Sequence, residues 1–141
     1  MFAFSETKEG DLVTYNFKIM GRPRPKQSVR FSTRGFSYQS KKVIDNEKSL
    51  KNAFSQMWGK DLLTNPLRVS IYFYFKKFKK SKRDLHPLYF NSNPDIDNLA
   101  KSVLDGVKGV VIKDDDIICQ LHLFKYFSDQ DYMIVQISSL V

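Results

Sequence analysis

Apolar and polar positions alternate over Val13, Tyr15, Phe17 and Ile19, with Thr14, Asn16 and Lys18 between them. A period of two over that length predicts a half-buried strand. The pattern breaks at Gly21-Arg22-Pro23-Arg24-Pro25-Lys26, where two prolines prevent regular ladder pairing and leave an extended basic loop that continues to Tyr38. Over residues 40–58, Val43, Ile44, Leu50, Phe54, Met57 and Trp58 share one helical face, with Ser40 as N-cap and Gly59 as stop. Leu67, Val69, Ile71, Phe73 and Phe75 alternate again. A basic run over residues 76–83 and an irregular loop to Pro94 follow. A short helix is expected over residues 98–106, capped by Asp97 and ended by Gly106 or Gly109. Ile117, Cys119, Leu121 and Leu123 then alternate, and a turn over residues 128–131 leads to a last strand over residues 133–137. The order β, α, β, α, β, β predicts one α/β (α+β) domain over residues 1–141, with a mixed sheet of four or more strands and two main helices packed on it.

Composition adds a partner class. Lys and Arg total 23 against 15 acids, for a net charge of +8. That excess suits a polyanion. The acids are concentrated: Asp95, Asp97, Asp105, Asp114, Asp115 and Asp116 all lie in one stretch, while the preceding chain is strongly basic. A single cysteine, Cys119, excludes an intrachain disulfide and a Cys-based zinc site, and its apolar surroundings assign it to core packing. Two histidines leave little for a His-rich metal site. Neither a signal peptide nor an apolar run of about 20 residues is visible, so no membrane association is expected.

The acidic stretch carries the candidate chemistry. Residues two apart in extended chain project the same way, so Asp95 and Asp97 can aim both carboxylates to one side just before a helix. Asp97 has a competing job as N-cap. Asp114, Asp115 and Asp116 precede an apolar strand, and an exposed turn is the plainer reading of those three alone. Two carboxylates about 4 Å apart repel by roughly 4 kcal/mol at an effective dielectric of 20. Three or four gathered together therefore require a cation or a proton. An all-oxygen set favours Mg²⁺, with Mn²⁺ as substitute, over zinc. Lys101 lies one helical turn beyond Asp97, as either a surface ion-pair partner or a cation for phosphate charge. Asp105, a further turn along, is read first as a partner of Lys101. A calcium loop fails because Gly106 stands where its last carboxylate is needed, and no phosphate-binding glycine loop appears, so no nucleotide cofactor is expected.

These residues resemble the RusA family of Holliday junction resolvases. The resemblance rests on Pro94-Asp95-Ile96-Asp97-Asn98-Leu99-x-Lys101, Leu104-Asp105-Gly106, Asp114-Asp115 and Lys125, with the early basic loop in support. It implies a homodimeric, cytoplasmic, bacterial or prophage-encoded nuclease that nicks two strands of a four-way junction symmetrically. It implies catalytic carboxylates at Asp95, Asp97 and Asp115, with Lys101 assisting and Asp114 supporting the metal. The chain departs from the family at Ile117, where Gln is frequent, and Asp116 blurs the register; Lys125 selects Asp115 as the match.

Basic residues supply candidate DNA contacts on two surfaces. One comprises Arg22, Arg24, Lys26, Arg30 and Arg34, the other Lys76, Lys77, Lys79, Lys80, Lys82 and Arg83. Phe78 is either a base-stacking residue or a cap on the sheet. A straight strand would carry Lys125 about 33 Å from Asp115, which assigns it to DNA contact or a dimer interface instead of the same centre. Tyr72 and Tyr74 are candidate interface residues. Two other functions remain open on these residues: a metal-dependent nuclease for flaps or other branched DNA, and a non-catalytic basic DNA-binding protein.

Overall fold

The computed structural model describes residues 1–26, 30–31, 37–38, 41–77 and 86–141. The elements are β1 (Phe2–Glu9), β2 (Leu12–Met20), the short β3 (Arg30–Phe31) and β4 (Ser37–Tyr38), α1 (Lys41–Trp58), β5 (Leu67–Lys76), α2 (Ile96–Val107), β6 (Ile118–Ser128) and β7 (Tyr132–Ser139). A 3₁₀ turn, Asp115–Ile117, leads into β6. Five strands form one mixed sheet in the order β1-β2-β7-β5-β6, and β3 and β4 pair with each other. Only the β5–β6 pair in the large sheet is parallel. The expected α+β sheet with two helices is therefore present. It gains β1, which the sequence pattern did not reveal.

β5 is the central strand of the core. Leu67, Val69, Ile71, Phe73 and Phe75 are all fully buried beneath the helices, while their neighbours along the strand are half-buried on the opposite face. Burying a phenylalanine side chain contributes on the order of 2–3 kcal/mol. Leu99, Ala100, Val103 and Val107 form the buried stripe of α2, and Leu50, Ala53, Phe54 and Trp58 that of α1. The two helices meet at Gly106, where an added Cβ would stand 3.1 Å from Leu50 Cβ. Beside that contact, Asn46 donates to the buried Ser102 hydroxyl at 2.8 Å.

Several local expectations are corrected. The helix runs through Gly106 and ends at Val107; Gly109, at φ +74°, makes the turn that follows. Its N-cap is Asp95 instead of Asp97. Cys119 is exposed and not in the core, because β6 lies at the edge of the sheet, with a register shift against β5 at its start. Ser40 lies outside the described residues.

The sheet face opposite the helices is aromatic. Tyr72 stacks on Phe124 with centroids 4.7 Å apart, and Tyr74 on Tyr132 at 4.3 Å. Tyr126 and Tyr89 extend the row. The Tyr72 and Tyr74 rings are thus engaged with their own strand neighbours and remain half-buried.

Candidate active site

The first half of the site is the start of α2. Asp95 has extended backbone (φ −67°, ψ 143°) and its carbonyl accepts from the Leu99 N–H at 3.1 Å. Its side chain makes no capping bond, and both Asp95 and Asp97 are exposed. The loop before them is fixed from the sheet. The Lys125 ammonium donates to the carbonyls of Ser92 and Pro94, each at 2.8 Å, and lies 5.3 Å from the centre of the Phe90 ring. Phe90 itself stacks on buried Phe75 at 4.1 Å. Burial draws the Lys125 amine below its usual value, and the negative charge of Asp95 opposes that effect. Lys125 thus belongs to the Asp95 loop, and its ammonium is committed to main-chain carbonyls. The straight-strand distance to Asp115 carries no information about Asp95, which another part of the chain brings to Lys125.

One stripe of α2 carries Asp97, Lys101 and Asp105 at successive turns, and Lys108 is the C-cap just beyond it. Lys101 is exposed. Asp105 pairs with Lys26, correcting the expected Lys101–Asp105 partnership. Lys26 also lies 3.3 Å from Glu47 of α1, and its main-chain N–H donates to the Asn98 carbonyl at 2.9 Å. The Lys26 amine is raised above its usual value, chiefly by the hydrogen bond to Asp105, against the opposing effect of burial. Lys26 therefore straps the Arg-Pro loop onto both helices.

The second half lies beyond the other end of α2. Asp114 accepts from the Asp115 N–H at 2.7 Å and pairs with Lys108 at 3.3 Å. Hydrogen bonding with Asp115 and then Lys108 holds the Asp114 carboxyl below its usual range, and the shared bond with Asp114 pushes Asp115 up. Asp116 is exposed on the same turn.

Ten helical residues, 98–107, lie between Asp97 and the second half, about 15 Å of rise. Among the described residues, no three Asp, Glu, His or Cys side chains gather closely enough to hold a metal ion. The expected union of Asp95, Asp97, Asp114 and Asp115 is thus not made within one chain. Each half has the exposed carboxylate oxygens that a hard divalent ion takes, but neither alone is the expected centre.

A basic cleft adjoins the first half. Its volume is about 420 Å³, and Arg22, Arg24, Lys42, Asn46, Asn93 and Pro94 line it. Arg22 also lies 3.4 Å from the Asp131 carboxylate and 5.0 Å from the Phe75 ring centre. Lys42 and Asn93 were not singled out in the sequence; a lysine in the first turn of a helix directly after a basic loop is the signal that could have found the former. Lys76 is exposed at the end of β5, and Lys77 lies 5.6 Å from the Phe127 ring centre. Lys79, Lys80, Lys82, Arg83, Phe78 and Arg34 lie outside the described residues, as does the side chain of Arg30. No helix is long and apolar enough to cross a membrane among the described residues.

No curated protein matches the chain. The family model for endodeoxyribonuclease RusA matches residues 17–138, from the middle of β2 almost to the end of β7, and so includes both acidic halves and the basic cleft. The chain therefore belongs to the RusA family of endodeoxyribonucleases, enzymes that resolve Holliday junctions.

Proposed function

We propose that this chain resolves four-way DNA junctions by paired, symmetric nicking that depends on Mg²⁺, or on Mn²⁺ in its place. The observation that carries the reading is an exposed carboxylate pair, Asp95 and Asp97, at a helix start anchored by Lys125 and bordered by a basic cleft. Arg22, Arg24 and Lys42 hold backbone phosphates in that cleft, which sets the scissile strand beside the helix start. Lys101, one turn along, faces the same side as Asp97 and offsets charge accumulating on the phosphate. Asp115, supported by Asp114, offers a further carboxylate at the far end of α2. A bound divalent ion contributes water activation and neutralisation of phosphate charge.

The substrate is branched DNA, and the working unit is a homodimer, whose twofold axis matches that of the junction. Such an enzyme acts in the cytoplasm of a bacterial or prophage-carrying cell. The test is incubation with four-way, three-way and linear DNA of matched sequence, with and without Mg²⁺. Paired nicks confined to the four-way substrate are expected. Equal cutting of all three would remove the junction assignment.

A further inference from the structure

A second, smaller space adjoins the basic cleft beneath the Arg-Pro loop. Its volume is about 210 Å³, and α1, α2 and the ends of β2 and β7 border it. Leu50, Phe73, Val103 and Met133, all buried, form its apolar wall. Arg22, Pro23, Arg24 and Asn46 line both the cavity and the cleft, so the two share a rim. An apolar cavity of about 150 Å³ is enough to hold a benzene molecule. This one therefore has room for the ring of a nucleobase.

The polar groups of the cavity are few and fixed. The Asn46 amide donates to the buried Ser102 hydroxyl at 2.8 Å, which sets the orientation of the carboxamide between the two helices. Among the described residues nothing donates to its Oδ1 oxygen, and its second amide hydrogen has no acceptor. A carboxamide held in this way offers an acceptor and a donor side by side, the combination that reads the hydrogen-bonding edge of a base. Ser49, exposed one turn further along α1, adds a hydroxyl to the same lining. Apolar walls with a small number of placed polar groups are the general form of a site for a small aromatic ligand.

We infer that this cavity receives one unstacked base of the bound junction and that Asn46 reads its edge, so that the identity of that base governs where the strand is cut. The inference rests on the DNA path proposed above, with phosphates held along Arg22, Arg24 and Lys42. The shared rim sets a nucleotide whose phosphate lies in the cleft directly beside the cavity. Asn93 and Pro94, which precede Asp95, line the same cleft, so the base is read close to the acidic helix start. Strands exchange partners at a branch point, and a base there has lost part of its stack and leaves it at least cost. A linear duplex offers no such base. It can occupy the cleft without filling the cavity.

The probe is 2-aminopurine, whose fluorescence rises when it leaves a base stack. Four-way junctions carrying it at successive single positions around the branch are bound to the protein in Ca²⁺. Wild type is expected to give a severalfold rise at one position. Ser49→Phe narrows the cavity from the exposed side of α1, and Val103→Phe fills it from α2. Both are expected to bind the junction within about threefold of wild type and to lose the rise. Wild-type binding with no rise at any position would overturn the inference and leave the junction reading standing. A rise that survives in both filled variants would overturn the cavity as its cause. Failure of the wild type to bind four-way DNA would overturn both readings. Circular dichroism checks the fold of each variant, and the last arm needs neither of them. Asn46→Ala leaves the cavity open and is expected to keep the rise but lose the choice of base. Cleavage of junctions that differ only at the responding position should vary by about tenfold or more in the wild type and by less than about twofold in Asn46→Ala. Equal base preference in the two proteins would overturn the role of Asn46.

Discussion

The Lys125 ammonium holds the Pro94 carbonyl at 2.8 Å, one residue before the Asp95 cap of α2. A sheet position thereby sets where a helix begins, and with it the direction in which the exposed carboxylates of Asp95 and Asp97 project. Lys125→Met keeps the aliphatic length but leaves the Ser92 and Pro94 carbonyls without their donor. A charged donor lost from such a site costs about 2 kcal/mol. The expected outcome is a lower urea midpoint together with a drop in kcat, and DNA affinity within about threefold of wild type.

Asp97→Asn removes charge without changing shape. Junction affinity in Ca²⁺ should be retained and cleavage in Mg²⁺ should fall by at least about 10²-fold, the scale of losing one electrostatic stabiliser. Ca²⁺ itself, with looser coordination geometry, should support binding by the wild type with little cutting. Gel-shift and cleavage assays on one four-way substrate separate these effects, and unchanged cutting by Asp97→Asn would count against the site.

Arg24 and Lys42 line the cleft beside Asn93 and Pro94. Substituting either by Ala should weaken binding similarly across DNA sequences and reduce the slope of log affinity against log salt by about one. With about six phosphates held, wild-type affinity should fall roughly 10³-fold between 50 and 200 mM salt. A salt slope unchanged in both variants would place the DNA elsewhere.

Lys26 links Asp105 and Glu47, and its amine is raised above 10.5, the ordinary value. The charged form is the one favoured by folding. Its contribution is therefore complete below that ordinary value and disappears as pH rises through the higher value in the folded protein. Lys26→Met should lower stability by about 1 kcal/mol near neutrality. The difference from wild type should shrink in strongly alkaline buffer, as read from urea midpoints at several pH values.

Much of the fold is legible from residue patterns, and the exceptions have physical causes. Alternation over β5 is clear because one face is buried under two helices while the other is half-covered by aromatics. β1 escapes notice because an edge strand buries little, and only Phe4 among its residues is half-buried. Cys119 sits in an apolar run, yet an edge position with a register shift leaves it exposed. The Asp95–Asp97 pair could be placed at a helix start from Asp-x-Asp spacing alone, though the cap fell two residues early. Contacts made by folding stayed hidden: Lys125 reaches Pro94 across the sheet, and Lys26 takes Asp105 from Lys101 because a proline loop lies along α2. The separation of Asp115 from Asp97 was hidden too, because a short helix between two acidic segments looks like a hinge in sequence and acts as a spacer in three dimensions.

Gly106 makes that spacer vulnerable from within. Its missing side chain lets α2 settle against Leu50 and Phe54. A methyl group there would work as a wedge close to the helix's end, with the rest of α2 as the longer arm of a lever. A small displacement at the fulcrum would swing Asp95 and Asp97 away from whatever strand they serve. A purely interior change could in this way disable a nuclease whose every charged group is intact.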